Sequence, residues 1–126
     1  MSDSVKKRIL IVDDAAFVRN RLKKIIDKMD YAEVAGEAAN GDDAVVKYKE
    51  LKPDLVTMDL VMPQADGIKA IEEIMKFDKN AVIVVISAIG QEMSIAEVTE
   101  KGVKDYLKKP FKEEEVLKTL GRHLNA

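Results

Sequence analysis

Five side chains able to do chemistry stand at or just beyond the ends of short apolar runs. Asp13 and Asp14 follow Ile9-Leu10-Ile11-Val12, Asp59 follows Leu55-Val56-Thr57-Met58, Ser87 follows the run ending at Ile86, and Lys109 comes two residues after Leu107. Three carboxylates drawn to one place repel one another unless a cation neutralises them. Hard oxygen ligands with few protein contacts suit Mg²⁺, which keeps several waters and binds phosphate oxygens. An ammonium at Lys109 pairs with the carboxylates and then holds an oxygen of an incoming phosphoryl group, while the Ser87 hydroxyl donates to another. Asp59 is then left in line as a nucleophile, in a site that works by positioning and charge with no general base. Taken singly, each residue has a plain structural reading: one of the paired aspartates as a helix cap, Asp59 as a loop carboxylate, Lys109 with its stem along a strand edge, Ser87 as a cap. The chemical reading needs all of them at the same end of one sheet.

The alternation of apolar runs with amphipathic stretches supplies that sheet. Strands are predicted at Arg8–Asp13, Glu33–Glu37, Leu55–Met58, Ala81–Ile86 and Lys104–Leu107, and the first is apolar on both faces, as a strand between two layers of helix must be. A helix follows each strand. The first, about Ala15–Met29, carries Val18, Leu22, Ile25, Ile26 and Met29 as one stripe at the helical period, with Phe17 to its side. The second, Asp42–Leu51, follows the Asn40-Gly41 turn and stops before Pro53; the third, Ile68–Phe77, follows Asp66-Gly67 and turns Ile68, Ile71 and Ile74/Met75 to the sheet. The fourth, Glu92–Lys101, stops at Gly102 as a left-handed cap, and the fifth, Glu113–Leu124, sets Glu113 to Glu115 against its positive end and offers Leu117, Leu120 and Leu124 to the core. Crossovers between parallel strands are right-handed, and ligands gather beyond the carboxyl ends of the strands. Those ends deliver Asp13, Asp14, Asp59, Ser87 and Lys109.

Composition bounds the rest. A chain of 126 residues fits one domain, 1–126, with 1–7 expected as a flexible N-terminus and no room for a second globular unit. At 47% apolar and 35% charged residues the chain is too apolar for disorder, and it has no run of about 18 apolar residues that could enter a membrane. The absence of cysteine excludes disulfides, thiolate metal sites and a cysteine nucleophile, and the absence of an apolar leader behind Met1 points to the cytoplasm. With 21 basic and 23 acidic residues mixed along the chain there is no basic block for nucleic acid. His123 has no second histidine or cysteine to share a metal with, and reads as a helix-terminal or surface side chain.

Several segments, in order and spacing, resemble one family. Ile9 to Asp14, Met58-Asp59-Leu60-Val61-Met62-Pro63 with Asp66-Gly67, Ser87-Ala88, Gly102 with Asp105-Tyr106-Leu107, and Lys108-Lys109-Pro110-Phe111 together resemble the receiver domain of two-component response regulators, and more closely its stand-alone chemotaxis (CheY-like) type. The resemblance implies a flavodoxin-like (βα)5 fold with strand order 2-1-3-4-5. It implies Asp59 as phosphoacceptor, Asp14 as direct Mg²⁺ ligand with Asp13 mainly water-mediated, and the Val61 carbonyl as backbone ligand. Lys109 is implied to contact the phosphoryl group, its bond to Pro110 to be cis, Ser87 to move toward phosphate and Tyr106 to turn inward in response. The implied donor is a histidine kinase, or a small molecule such as acetyl phosphate. The implied reader is a motility-switch or adaptor protein on a surface formed by Met93, Lys104, Tyr106, Lys108, Lys118 and Arg122, with the chain itself a monomer.

The fit has departures. Ser87 stands where threonine is commoner, Gly102-Val103 replaces Gly-Ala, and Val98 is larger than usual, which leaves the activation geometry near the fourth helix less defined than the chemistry. Val61 and Ile89 offer no polar group to orient water, which suggests slow self-dephosphorylation. An aspartate-nucleophile phosphatase of the haloacid-dehalogenase type would carry an acid two residues after the nucleophile, where this chain has Val61, and a flavin binder would carry a Ser/Thr/Gly loop where it has Asp13-Asp14. A single-domain phosphorelay intermediate outside chemotaxis is the other reading.

Overall fold

The computed structural model describes residues 5–60, 62, 67–88 and 92–124, those of 92–95 by their backbone. Strands and helices alternate throughout: β1 (Lys7–Val12), α1 (Ala16–Ile26), β2 (Ala32–Ala38), α2 (Gly41–Leu51), β3 (Leu55–Met58), α3 (Gly67–Phe77), β4 (Ile83–Ser87), α4 (Glu92–Glu100), β5 (Asp105–Lys108) and α5 (Glu113–Leu124). All pairings are parallel, in the order β2-β1-β3-β4-β5. The fold class and strand order are those expected.

The unbroken apolar run of β1 has its cause in the two layers that cover it. Ile9 and Ile11 pack with Val18, Leu22 and Ile26 of α1 and Val116, Leu120 and Leu124 of α5. Leu10 and Val12 face the other way, onto Ala44 and Tyr48 of α2 and Ala70, Ile71 and Ile74 of α3, with Val98 of α4 in the same cluster. Each such branched side chain contributes roughly 1.5–3 kcal/mol when fully buried, so the three inner strands are the stiff part of the molecule and their ends are fixed points. Among the described residues no helix is long and apolar enough to cross a membrane.

Several boundaries differ from the sequence reading. Lys7, expected in the flexible lead, opens β1 and donates its N–H to the Tyr31 carbonyl at 2.8 Å. Helix α1 ends at Ile26 rather than Met29, yet Met29 remains buried because the turn after Asp27 folds it back onto the same cluster. Ser87 closes β4 instead of following it. In α5 Leu120 and Leu124 are buried as expected, while Val116 and Thr119 complete the inward stripe and Leu117 only borders the core. The Gly102 cap is as expected, at φ +100°. Helix α2 begins on Asn40, whose side chain accepts from the Asp43 amide at 2.8 Å.

The Thr57 hydroxyl sits in β3, is buried, and has no hydrogen-bond partner among the described residues. A buried unmatched hydroxyl costs stability that a methyl of the same shape would not. Thr57→Val is therefore expected to raise the free energy of unfolding by about 1 kcal/mol, read from urea midpoints. A lower midpoint with an unchanged slope would show that the hydroxyl has a partner in solution.

Candidate functional site

Strand register alone assembles the site. Val12 lies opposite Met58 and Met58 opposite Val85, so the residues that follow leave the sheet side by side. The Asp59 amide donates to the Val12 carbonyl at 3.0 Å and the Asp13 amide to that of Ala38 at 3.0 Å, which carries the pairing one step past β1 and β3. Ser87 is opposite Lys108, and the Lys109 amide donates to the Ser87 carbonyl at 2.8 Å. The Ser87 hydroxyl lies 3.2 Å from Asp59 Oδ1, and Lys109 Nζ lies 2.6 Å from Asp13 Oδ2 and 3.4 Å from Asp59 Oδ2. All five residues singled out in the sequence are thus brought together, with Asp13, Asp59 and Ser87 buried and Asp14 exposed.

The capping reading of the paired aspartates does not apply. The residue before α1 is Ala15, and the helix has no side-chain cap. Asp13 instead turns its Oδ1 onto the Ala15 amide at 2.9 Å, so a buried carboxylate has both a backbone donor and an ammonium.

One carboxylate oxygen each from Asp13, Asp14 and Asp59 lies within 4.8 Å of the others. At such separations two like unit charges repel by about 4 kcal/mol at an effective dielectric near 20. Lys109 answers only part of this, since three carboxylates and one ammonium leave a formal excess of two negative charges. Burial draws the Lys109 ammonium downward, but the Asp13 hydrogen bond and the charges of Asp59 and Asp13 outweigh it and hold its pKa above the ordinary lysine value. It is a fixed cation. The donor set, all hard oxygens with one carboxylate open to solvent, fits a divalent cation of the Mg²⁺ kind, which tolerates retained waters.

The wall behind Asp59 is set by a glycine. At Gly67, the first residue of α3, a Cβ would lie 2.2 Å from the Asp59 carbonyl oxygen and 2.8 Å from Leu60 Cα, and the Gly67 amide donates to the Leu60 carbonyl at 3.2 Å. The sequence reading placed Asp66-Gly67 just before the third helix and missed this close approach. Val61, Pro63, Asp66 and Ile89 lie outside the described residues. On the other flank, beside Lys109, an open cleft of about 330 Å³ is lined by Phe17, Val18, Arg21, Ala88, Pro110 and Phe111. Phe17 is 76% exposed there, which gives a reason for its place off the α1 stripe. Arg21, not singled out before, stacks 4.7 Å over the Phe111 ring and donates to its carbonyl at 3.0 Å. The Lys109–Pro110 bond is cis.

Tyr106 lies half-buried in β5 opposite Val85, bordering the cluster under α2 and α3. Burial raises its phenol pKa, and the charge of Asp59 adds to the effect. A second cavity of about 210 Å³, lined by Val98, Thr99, Val103, Lys104, Asp105 and Tyr106, opens between α4 and β5. Lys104, Lys108, Lys118 and Arg122 are exposed around this face, and the Met93 side chain lies outside the described residues. Arg122 is not a free cation: its Nη1 is 2.7 Å from Asp105 Oδ2, which also lies 2.9 Å from His123 Nε2. Burial alone would raise the Asp105 carboxyl, yet the His123 and Tyr106-amide hydrogen bonds and the Arg122 charge hold it below its ordinary range.

An acidic pocket at the carboxyl ends of a 2-1-3-4-5 parallel sheet, faced by a lysine from the last strand's end, defines a class, and the chain belongs to it: the response regulator receiver domain family matches residues 9–121. Within that family the chain is CheY-like. It is 58% identical over 116 residues to the chemotaxis protein CheY of Thermotoga maritima, covering 92% of this chain and 96% of that protein. It is 49% identical to CheY of Bacillus subtilis over 118 residues, 94% of this chain and 98% of that one. Among solved structures, a chain of the CheX-CheY-BeF3-Mg complex from Borrelia burgdorferi superposes with a TM-score of 0.89 at 37% identity, covering 94% of this chain and 89% of its own. The chain is therefore a CheY-like receiver of two-component signalling.

Gly67→Ala tests the packing behind the site. The added methyl meets backbone rather than a flexible side chain, so relaxation must move Asp59 or α3. The expected cost is about 1–3 kcal/mol of stability, with the largest amide shifts at Asp59 and Leu60. Wild-type stability in thermal unfolding would show that the α3 start has slack.

Proposed function

We propose that the protein is a phosphorylation-dependent switch in which Asp59 accepts a phosphoryl group from the phosphohistidine of a histidine kinase, with Mg²⁺ as cofactor, and that it controls motility or chemotaxis. The observation that carries the reading is the placement of Lys109 across Asp13 and Asp59 with the Ser87 hydroxyl on the remaining Asp59 oxygen. Asp13, Asp14 and Asp59 would hold the ion with the Val61 carbonyl, and the ion would supply charge neutralisation to the carboxylates and to the phosphoryl oxygens. An Asp59 oxygen forms the new O–P bond as the P–N bond to the donor imidazole breaks. Lys109 then exchanges part of its hold on the carboxylates for a phosphoryl oxygen, and Ser87 swings its hydroxyl to another. The open cleft beside Lys109, with exposed Phe17 at its rim, leaves that flank accessible to a donor.

Once Ser87 moves, Tyr106 on the neighbouring strand gains room to turn inward, and the face of α4, β5 and α5 changes its apolar area and its hydroxyl donor together. Lys104, Tyr106, Lys108, Lys118 and Arg122 border the surface a motility-switch or adaptor protein would read, with Met93 a candidate from the sequence. The chemotaxis names of the Thermotoga and Bacillus relatives support that output, and the beryllofluoride and magnesium in the name of the Borrelia complex support the cofactor. The apolar Val61 and Ile89 favour a slow self-dephosphorylation, and the protein acts in the cytoplasm as a monomer.

Acetyl phosphate with Mg²⁺ is expected to add one phosphoryl group to the wild type and none to Asp59→Asn, by intact mass. An adduct retained in the variant would remove Asp59 from its role. Beryllofluoride with Mg²⁺ is expected to shift backbone amides over Ser87, α4 and β5–α5 while α2 and α3 change little; shifts confined to α2 and α3 would reject the output face.

A further inference from the structure

The carbonyl of Asp13 accepts a hydrogen bond from Arg19 Nη1 at 2.7 Å, and the Arg19 Nε is held 2.9 Å from Glu37 Oε1. The other oxygen of Glu37 takes Lys23 Nζ at 2.8 Å. The Lys23 hydrogen bond is the first cause, with Arg19 adding, that keeps the Glu37 carboxyl below its ordinary range against its partial burial. The carbonyl concerned belongs to the peptide that joins Asp13 to Asp14, so its orientation sets the direction in which the exposed Asp14 side chain leaves the backbone. The Arg19 side chain is 19% exposed and makes both contacts from a single planar fork.

Glu37 reaches Arg19 only because β2 carries an irregularity. Ile9 pairs with Val34 but Leu10 with Gly36, so Ala35 is passed over. Before the slip Val34 lies beside Ile9 on the α1 face; after it, Glu37 lies opposite Ile11 on that same face. In unbroken register Glu37 would fall opposite Val12, whose side chain points to α2 and α3, away from Arg19. A bulge that re-aims one side chain beside a site is a known use of the device.

We propose that Arg19, aimed by Glu37, is a positioning residue for the acidic pocket: it fixes the Asp13–Asp14 peptide and thereby the presentation of Asp14 to a divalent cation. This rests on the metal reading given under Proposed function. The sign of the effect separates positioning from charge. Arg19 is a cation near a cation site, so removing its charge alone would tighten Mg²⁺ binding; removing the peptide anchor would loosen it.

The test is a calorimetric titration with Mg²⁺ alone on the wild type, Arg19→Ala, Arg19→Lys, Glu37→Gln and the Arg19→Ala/Glu37→Gln double variant. Arg19→Ala is expected to bind about tenfold more weakly, in line with the loss of groups that orient metal ligands. Arg19→Lys should fall between it and the wild type, because an ammonium reaches one partner but not both. Glu37→Gln should weaken binding by a smaller factor, and the double variant should match Arg19→Ala, since the glutamate acts through the arginine. In metal-free protein the Asp13 carbonyl ¹³C resonance should move in Arg19→Ala while resonances of β3 and β4 stay in place. Equal or tighter Mg²⁺ binding by Arg19→Ala, or an unmoved Asp13 carbonyl, overturns the proposal. A wild type that binds no Mg²⁺ would defeat the metal reading, and the carbonyl resonance then decides the anchor by itself.

Discussion

Mutual repulsion among Asp13, Asp14 and Asp59 is the constraint around which the molecule is built. The carboxylates lie within 4.8 Å of one another, and a buried like-charged pair such as Asp13 and Asp59 opposes folding by a few kcal/mol at an effective dielectric near 20, while a whole domain is stable by only about 5–15 kcal/mol. Carboxylates could relax such a penalty by drifting apart, so holding them needs a rigid support. The inner strands supply it: β1, β3 and β4 are buried on both faces, and their side chains interlock with two helical layers. The long apolar run of β1 and the charged residues at its end thus belong to one physical problem. Lys109 reduces the repulsion without abolishing it, and that residual negative potential is what an incoming divalent cation would meet.

The same geometry ties the pocket to the periphery. Lys109 and Ser87 are joined through the Lys109 amide and the Ser87 carbonyl, and β5 pairs with β4 alone, at the edge of the sheet. Inner strands have no freedom to respond to a change at the site. An edge strand with one neighbour and a cavity of about 210 Å³ at its side has more. Tyr106 sits on that strand, on the layer away from α1 and α5. In the proposed switch, information leaves the pocket through β5, the edge strand that pairs with the strand carrying Ser87; the other edge strand, β2, pairs with β1.

How far the sequence could be read follows from what each feature depends on. The five strands and the five converging side chains were legible, since apolar runs ending in polar residues are local signals and parallel topology brings their ends together; the strand order came with the family resemblance. Boundaries shifted where a neighbour decides them: Lys7 enters β1 because the Tyr31 carbonyl takes its amide, and Ser87 enters β4 because Lys108 lies opposite it. On the inward face of α5 Leu120 and Leu124 were read correctly, but three leucines at helical spacing drew Leu117 into the stripe in place of its neighbour Val116, which the packing buries. The partnership of Arg19 with Glu37 was out of reach. It crosses from a helix to an edge strand through a register slip that no local pattern announces. The His123 contact to Asp105 was missed for the same reason: a lone histidine near a helix end carries no sign of the strand beneath it.

Asp13 and Asp14 are adjacent and chemically identical, yet the fold gives them opposite environments. Asp13 is 2% exposed, and its carboxylate takes the Ala15 amide and the Lys109 ammonium while its carbonyl takes Arg19. A carboxylate so engaged has few lone pairs left to offer. Asp14, one residue on, is exposed. Both carboxylates still reach the same cluster with Asp59, Asp13 from its buried side and Asp14 from its solvent side. The buried aspartate is then a structural acid that fixes Lys109 and the turn into α1. Its exposed neighbour is the carboxylate that solvent reaches, so in the proposed site Asp14 would be the ligand most open to a strongly hydrated ion that keeps most of its waters.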